Sequence, residues 1–329
     1  MKTLALIDGN AIIHRAYHSM PKTFTNKKGE PTNAVYGFAL TLIRMIEDLQ
    51  PTHIVCSFDL AGPTFRHEKF ADYKGTRVKA DQELYDQIPK VKELVETMGI
   101  QIIEKQGFEA DDIIGTTVEK IHRGEIKDGG MKIHIVTGDK DAYQLLGDNV
   151  FIYDLKNSSD GSRIIDRETV KQKYNLEPRD FIDLKALSGD SSDNIPGVPG
   201  IGDKTATTLI QSFGNLDSLY RCLKQKSNIK DQNDKSKCKS LTPRVEKLLI
   251  DNKDQAYMSR ELGTIHCQVP ISFTLEDIKW GEYDKDELFK FFQELGFKSL
   301  IARFSKIEHR KIEKKVTEVQ KKDQQLKLL

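Results

Sequence analysis

Three short apolar runs in this chain each lead to an aspartate, and that arrangement limits the fold more than any other feature. Leu4-Ala5-Leu6-Ile7 leads to Asp8, and Ile54-Val55-Cys56-Ser57-Phe58 leads to Asp59. Ile133-His134-Ile135-Val136 leads through Thr137-Gly138 to Asp139, with Asp141 beyond it. Apolar runs of this length read as parallel strands buried on both faces. Helical spacing fills the intervals, from Ala34 to Leu49, Gln82 to Met98 and Asp111 to His122. Strands alternating with helices imply an α/β domain around a mostly parallel sheet. Such sheets bind ligands beyond the carboxyl ends of their strands, so these aspartates are expected on one common edge.

A second acidic group lies in Gly107-Phe108-Glu109-Ala110-Asp111-Asp112. In a helix Glu109 and Asp112 share a face, and crowded like charges repel unless something positive sits among them. A solvated helix N-terminus, where acids favour the dipole, is the plain alternative for this stretch alone. A single aspartate at a strand end is also usually a helix cap. Several strand-end aspartates together with Glu109, Asp111 and Asp112 fit coincidental capping poorly.

The sequence changes character after Asp154. Arg167 to Tyr174 and Pro178 to Leu187 read as short helices, and Lys204 to Phe213 as another. Between the last two lies Ser188-Gly189-Asp190-Ser191-Ser192-Asp193-Asn194-Ile195-Pro196-Gly197-Val198-Pro199-Gly200-Ile201-Gly202-Asp203, a tight Gly/Pro-rich turn. A helix–hairpin–helix results. Its glycines allow close backbone approach and its second helix opens with free N–H groups, a design that suits phosphates. A purely structural αα-hairpin is the alternative. Asp190 and Asp193 stand at its entrance, within reach of the other acids. Lys224 to Pro243 reads as an exposed polar loop, Val245 to Glu261 as one helix, and Ile271 to Leu275 as a strand or extended segment with Trp280 packed nearby. Asp286 to Gly296 is a last amphipathic helix, and Ser305 to Leu329 a lysine-rich tail, helical or disordered. No internal repeat is present.

Charged residues make up 31% of the 329, yet the net charge is only +1, so a nucleic-acid partner must show itself in local clusters. The four cysteines are scattered with no CxxC spacing, which argues against zinc and for free thiols in a reducing compartment. The N-terminal apolar run is too short for a signal peptide, and no stretch has transmembrane length. A soluble cytoplasmic protein is expected.

The candidate carboxylates are Asp8, Asp59, Glu109, Asp111, Asp112, Asp139, Asp141, Asp190 and Asp193. With no histidine or cysteine among them, an all-oxygen set suits Mg²⁺ or Mn²⁺. Their number suggests two ions, which about 4 Å apart stabilise the attacking and leaving oxygens of phosphoryl transfer. No GxxxxGK[ST] motif occurs, which disfavours P-loop nucleotide hydrolysis. From Phe65 to Lys79, basic residues interleave with Phe65, Phe70 and Tyr73. By itself such a run is usually a solvated face. Beside a metal-binding edge it reads as a grip on phosphates and unpaired bases.

The motifs FDLAGPTFRHEKFADYKGTR, GFEADD, VTGDKDAYQLL and GDSSDNIPGVPGIGDKTA resemble the 5′-nuclease domain of bacterial DNA polymerase I and its stand-alone relatives in the flap endonuclease superfamily. The resemblance covers roughly Met1 to Phe304. It implies a PIN-like α/β core at 1–165 with a helical arch near 60–82. A C-terminal helical subdomain at 166–304 would carry the helix–hairpin–helix near 184–213, and 305–329 would be the tail. It also implies metal-dependent cleavage at 5′ ends, nicks and single-strand flaps of DNA, including RNA-primed ends. Asp8, Asp59, Glu109 and Asp111 would hold one ion, and Asp111, Asp139, Asp141 and Asp193 the second. Asp112 and Asp190 would act through water or from behind the ligands. Lys74 and Arg77 match the pair that polarises the scissile phosphate. Tyr73 matches a position near the unpaired end, and Arg66 a phosphate contact. Gly197, Gly200, Gly202 and Lys204 match the hairpin that holds duplex DNA, where K⁺ assists. A monomer linked in function to a DNA polymerase is expected. Lys224 to Pro243 is longer than the usual connection, and no proofreading or polymerase sequence follows. The chain is therefore either a free-standing nuclease or a piece of something larger. A non-catalytic binder of branched DNA and a PIN-type ribonuclease are the competing readings.

Overall fold

The computed structural model describes residues 2–126, 130–156, 163–225 and 241–306. Most of the polar stretch 224–243 and of the lysine-rich tail therefore lies outside the described residues. Six strands form one sheet: β1 (Thr3–Asp8), β2 (His53–Ser57), β3 (Gln101–Ile103), β4 (Lys132–Thr137), β5 (Val150–Asp154) and β6 (Ile164–Ile165). The three apolar runs are β1, β2 and β4. The order is β3-β2-β1-β4-β5-β6, parallel throughout except between β5 and β6. From β1 the chain winds outward through β2 and β3, then returns and winds the other way through β4 and β5. The winding reverses between β1 and β4, and at such a point the connections diverge and leave a crevice beyond the strand ends. Asp8 ends β1 and Thr137 ends β4, so the crevice opens beside both.

Alternate strand residues face opposite layers. Ala5, Ile7 and Ile54 pack with α1 (Gly9–Ser19), α2 (Asn33–Leu49) and α4 (Gln82–Thr97). Leu4, Leu6, Val55, Ile133 and Ile135 pack with Ile114 and Val118, on a helix running from Ala110 to His122. Residues 280–304 return to the first layer, although the sequence division groups them with the helical region. There Trp280, Phe292, Phe297 and Phe304 join the core, and Trp280 Nε1 donates to the Met98 carbonyl at 2.9 Å. Full burial of one such aromatic contributes about 1.5–3 kcal/mol.

His134 on β4 is buried and stacks on Phe151, 5.2 Å between ring centroids. Burial, reinforced by Lys132, lowers its pKa from 6.5 to about 4. The unfolded chain takes up this proton near pH 6.5 and the folded chain only near about 4. Acid therefore favours unfolding across that window, by up to about 1.4 kcal/mol per pH unit. A His134→Leu variant is expected to lose less stability than the parent between those limits. Urea midpoints at several pH values check this, and identical pH slopes would refute it.

The remaining helices among the described residues are α3 (Phe65–Lys69), α5 (Ala110–His122), α6 (Arg167–Tyr174), α7 (Asp180–Ser188), α8 (Asp203–Phe213), α9 (Leu216–Gln225), α10 (Pro243–Asp251), α11 (Lys253–Gly263) and α12 (Lys285–Glu294). Leu187, Ile201, Ile210, Leu219, Leu249 and Ala256 form a separate apolar centre in the helical region. The single helix expected over Val245 to Glu261 divides at Asn252, whose side chain bonds back to the Leu248 carbonyl at 2.8 Å and ends α10. Asn and Asp side chains compete with helix continuation in this way. Of the two forms expected for Ile271 to Leu275 the strand is absent: its apolar residues pack on Ile113 and on the sheet without a ladder partner. Cys56 and Cys267 are free thiols, as expected, but Cys222 is disulfide-bonded. No helix among the described residues is long and apolar enough to cross a membrane.

Candidate active site

Asp8, Asp59, Glu109, Asp111 and Asp139 line one cleft of about 190 Å³ at the carboxyl edge of the sheet. Each is aimed by its local backbone. Asp8 caps α1, accepting from Ala11 N–H at 2.9 Å and from the Thr137 hydroxyl at 2.8 Å. The chain turns at Gly9 directly over Phe58, where any Cβ would lie 2.4 Å from the ring. Asp59 accepts from Ala110 N–H at 2.7 Å and from Asn10 Nδ2 at 3.0 Å, and its own N–H donates to Asn10 Oδ1. Glu109 precedes α5, and Asp139 follows β4. Burial, helped by Asp59 and Asp139, pushes Asp8 up to about 7 against its hydrogen-bond donors. Asp111 is driven well above the usual carboxylate range, by its surroundings first and then by Asp8, Asp139, Asp141 and Asp59. A carboxylate set this crowded favours bound positive charge, and hard divalent cations fit its all-oxygen donors.

Asp141, Asp190 and Asp193 form a neighbouring group, each offering an oxygen within 4.8 Å of the others. Lys185 on α7 stands between two of them, bonded to Asp141 and 2.7 Å from Asp190. Burial still pushes Asp141 up to about 6. At Asp190 burial is outweighed by Lys185 and by the Ser192 donors, which hold it near about 2.

Residues 60–81 cross this edge, with α3 as their one regular helix. Lys74 Nζ lies 2.7 Å from Glu109, and Arg77 lies 2.6 Å from Asp193. Both cations thus sit among the carboxylates, at the mouth of the cleft. Arg66 does not reach outward as expected. It is buried, its fork grips both oxygens of Asp112 at 2.8 Å, and two of its other N–H groups go to the Leu262 and Thr264 carbonyls. Four of its five N–H donors are bonded inside the protein and Nη1 also lies 3.5 Å from Glu109, so the side chain is spent on the protein rather than on a phosphate. Asp112 is equally enclosed. It also accepts from Glu109 N–H at 3.0 Å and His266 N–H at 2.8 Å, so its oxygens are used in capping α5 and holding Arg66 rather than facing the cleft. Asp112 thus serves the start of α5, but buried and paired rather than solvated as the plain alternative had it.

Tyr73 is buried too, packed with Ile195 and Leu262, and its hydroxyl donates to Glu109 and Asp193 at 3.2 Å. Its ring has no free face for a base. Phe65 is likewise engaged, against Phe108 and His266.

The hairpin closes where Asp190 and Ile195 exchange backbone bonds of 2.8 Å. Gly197 has φ +60°, and a Cβ there would lie 2.2 Å from the Gly189 nitrogen. Its N–H donates to Ser259 Oγ and its carbonyl accepts from Gln255, so Gly197 builds the turn and faces α11, not a ligand. Gly200, Gly202 and Lys204 remain exposed around the start of α8.

Sequence reading did not single out Asn10, His14, Thr137 or Lys185. Asn10 and His14 follow Asp8 on α1 and line the cleft with it, so the Asp-Gly-Asn run was the available signal. Nothing local marks Lys185, whose partner Asp141 lies 44 positions away.

A doubly wound sheet with an acid-lined edge, joined to a helical hairpin region, gives the chain a PIN-like fold. Residues 3–175 match the family described as 5′-3′ exonuclease, N-terminal resolvase-like domain, and residues 176–286 match 5′-3′ exonuclease, C-terminal SAM fold. The chain belongs to the 5′-3′ exonuclease family. It is 38% identical over 302 residues to DNA polymerase I of Bacillus subtilis and 35% identical to that of Bacillus caldotenax. Each alignment covers 92% of this chain and 32% of the relative, so the chain spans about a third of the length of these curated relatives. Among solved structures, T5 5′-exonuclease with bound divalent metal ions superposes with a TM-score of 0.60 at 21% identity, covering 90% of this chain and 98% of that one. The catalytic core of Rad2 in complex with DNA superposes with a TM-score of 0.56 at 18% identity, covering 90% and 88%. These likenesses show a shared fold.

Proposed function

We propose that this chain hydrolyses DNA phosphodiesters at 5′ ends and flap junctions with two divalent cations, Mg²⁺ by preference and Mn²⁺ as a substitute, leaving 5′-phosphates. The observation that carries this reading is the convergence of carboxylates from four separate elements at the reversal point of the sheet, with Lys74 and Arg77 at the mouth. Asp8, Asp59, Glu109 and Asp111 would hold one ion, and Asp111, Asp139, Asp141 and Asp193 the other. Asp190 would act from behind, through Lys185. Ions bound there would supply activation of water and charge stabilisation at the scissile phosphate.

The chain's own residues supply the rest. Asn10 and Ala110 N–H fix the Asp59 carboxylate, and Thr137 fixes Asp8. Lys74 and Arg77, paired with carboxylates at rest, would turn to the phosphate and stabilise its developing charge. Gly200, Gly202, Lys204 and the start of α8 would hold the duplex through its phosphates, K⁺ assisting. Action on RNA-primed ends in replication and repair, as a monomer in the bacterial cytoplasm and in functional partnership with a DNA polymerase, completes the proposal.

The test is a 5′-flap duplex labelled at its 3′ end, incubated with Mg²⁺ and, separately, with EDTA. A metal-dependent cut near the junction supports flap cleavage, and a ladder from the 5′ end supports exonuclease action. Tight flap binding without product would overturn the proposal in favour of a non-catalytic binder, and a preference for single-stranded RNA would favour a ribonuclease. In the same assay Lys74→Ala is expected to slow cleavage by roughly 10²–10³-fold. An unchanged rate would remove Lys74 from the reaction.

A further inference from the structure

Two turns from distant parts of the sequence are locked together at the mouth of the cleft. One, Asp72 to Arg77, follows α3, and the other, Asp190 to Ile195, follows α7. Lys74 N–H donates to the Asp193 carbonyl at 2.8 Å, Asn194 Nδ2 donates to the Asp72 carbonyl at 2.6 Å, and Arg77 Nε donates to the Ser192 carbonyl at 3.1 Å. Each turn holds one non-glycine residue in the left-handed region, Lys74 at φ +56° and Asn194 at φ +55°. Side chains other than glycine persist there when their surroundings over-determine them. The outcome is specific. Lys74 sends its N–H to one turn and its ammonium to Glu109, while Asp193 presents its carbonyl to Lys74 and its carboxylate to Arg77.

We propose that Asn194 is a positioning residue: its side-chain amide fixes the Asp72 carbonyl and so seats Lys74 and Arg77 over the carboxylates before substrate arrives. Asn194 does not line the carboxylate cleft, so it acts through the turn it holds. Asparagine combines two properties the place requires, tolerance of the left-handed backbone and an amide donor. Glycine has the first without the second. Aspartate keeps the shape and offers only an acceptor. The proposal rests on the nuclease reading above for its effect on cleavage, while the interlock itself does not.

The full chain carrying Asn194→Gly or Asn194→Asp is compared with wild type, Lys74→Ala and the Lys74→Ala/Asn194→Gly double variant. Trypsin, without DNA or metal, is expected to cut after Lys74, Arg77 or Lys79 faster in both Asn194 variants. Single-turnover flap cleavage in Mg²⁺ is expected to fall by about tenfold or more, with flap affinity retained, because small misplacements of catalytic groups carry large rate costs. The double variant is expected to lose less than the two single defects combined, since part of the Asn194 effect works through that lysine and only the part through Arg77 remains. Wild-type trypsin and cleavage rates in both variants would overturn the proposal. So would an Asn194→Gly defect that adds in full to that of Lys74→Ala. If wild type itself fails to cleave flaps, the nuclease reading falls and the trypsin comparison alone decides the interlock.

Discussion

Replacing Asp111 by asparagine is expected to abolish divalent-cation-dependent cleavage while making the metal-free protein harder to unfold. Asp111 sits where the repulsion converges: after its enclosure, its charged form is opposed by Asp8, Asp139, Asp141 and Asp59. Two like charges 4 Å apart repel by about 4 kcal/mol at an effective dielectric near 20, and several neighbours act on this one group. Asparagine keeps the shape and removes the ionisable group, and with it the cost of either crowding a charge there or taking up a proton on folding. With EDTA present, stability should therefore rise, by an amount on the order of 1–3 kcal/mol once distance and screening are allowed for. Added Mg²⁺ should reverse the ranking. A cation that binds only the folded state stabilises it by about 2.7 kcal/mol at a hundred times its dissociation constant, and the variant would lose most of that gain. Thermal melts of both proteins with EDTA and with Mg²⁺, beside the flap assay, decide the matter. Wild-type cleavage by the variant, or a less stable variant in EDTA, would sink the role given to Asp111.

Asp112, its neighbour, is expected to behave in the opposite way. Asp112→Ala leaves the buried Arg66 guanidinium with the Leu262 and Thr264 carbonyls and only the longer 3.5 Å ion pair to Glu109, its two shortest charged bonds gone. Breaking a buried pair from one side typically costs about 3–5 kcal/mol. The loss should be the same with EDTA and with Mg²⁺, because it arises from the Arg66 pocket and not from a cation. Replacing both partners, Arg66→Leu with Asp112→Leu, should recover much of it, since an apolar pair leaves no orphaned charge. If Asp112→Ala were as stable as wild type in EDTA but failed to gain stability from Mg²⁺, Asp112 would be a metal ligand after all. On the proposed reading the two adjacent aspartates separate charge gathered for a cation from charge spent on the fold.

Much of this molecule was legible in its residues. Short apolar runs that alternate with helical spacing predict strands of a parallel sheet buried on both faces, and the fold rules then send their terminal aspartates to one edge. The helices at Asn33–Leu49, Ala110–His122 and Arg167–Tyr174 follow from local periodicity to within a residue. Family membership followed from the ordered motifs. Side-chain destiny was different. Arg66 reads as an exposed phosphate contact until it meets Leu262, 196 positions away, and Tyr73 reads as a stacking platform until it closes on Asp193, 120 positions away. Gly197 reads as part of a ligand-binding turn until Ser259 takes its N–H. Lys185 carries no local mark at all. Secondary structure depends on spacing along the chain, which a sequence displays directly. Which donor meets which acceptor depends on elements brought together from far apart, and only the packed tertiary structure decides that.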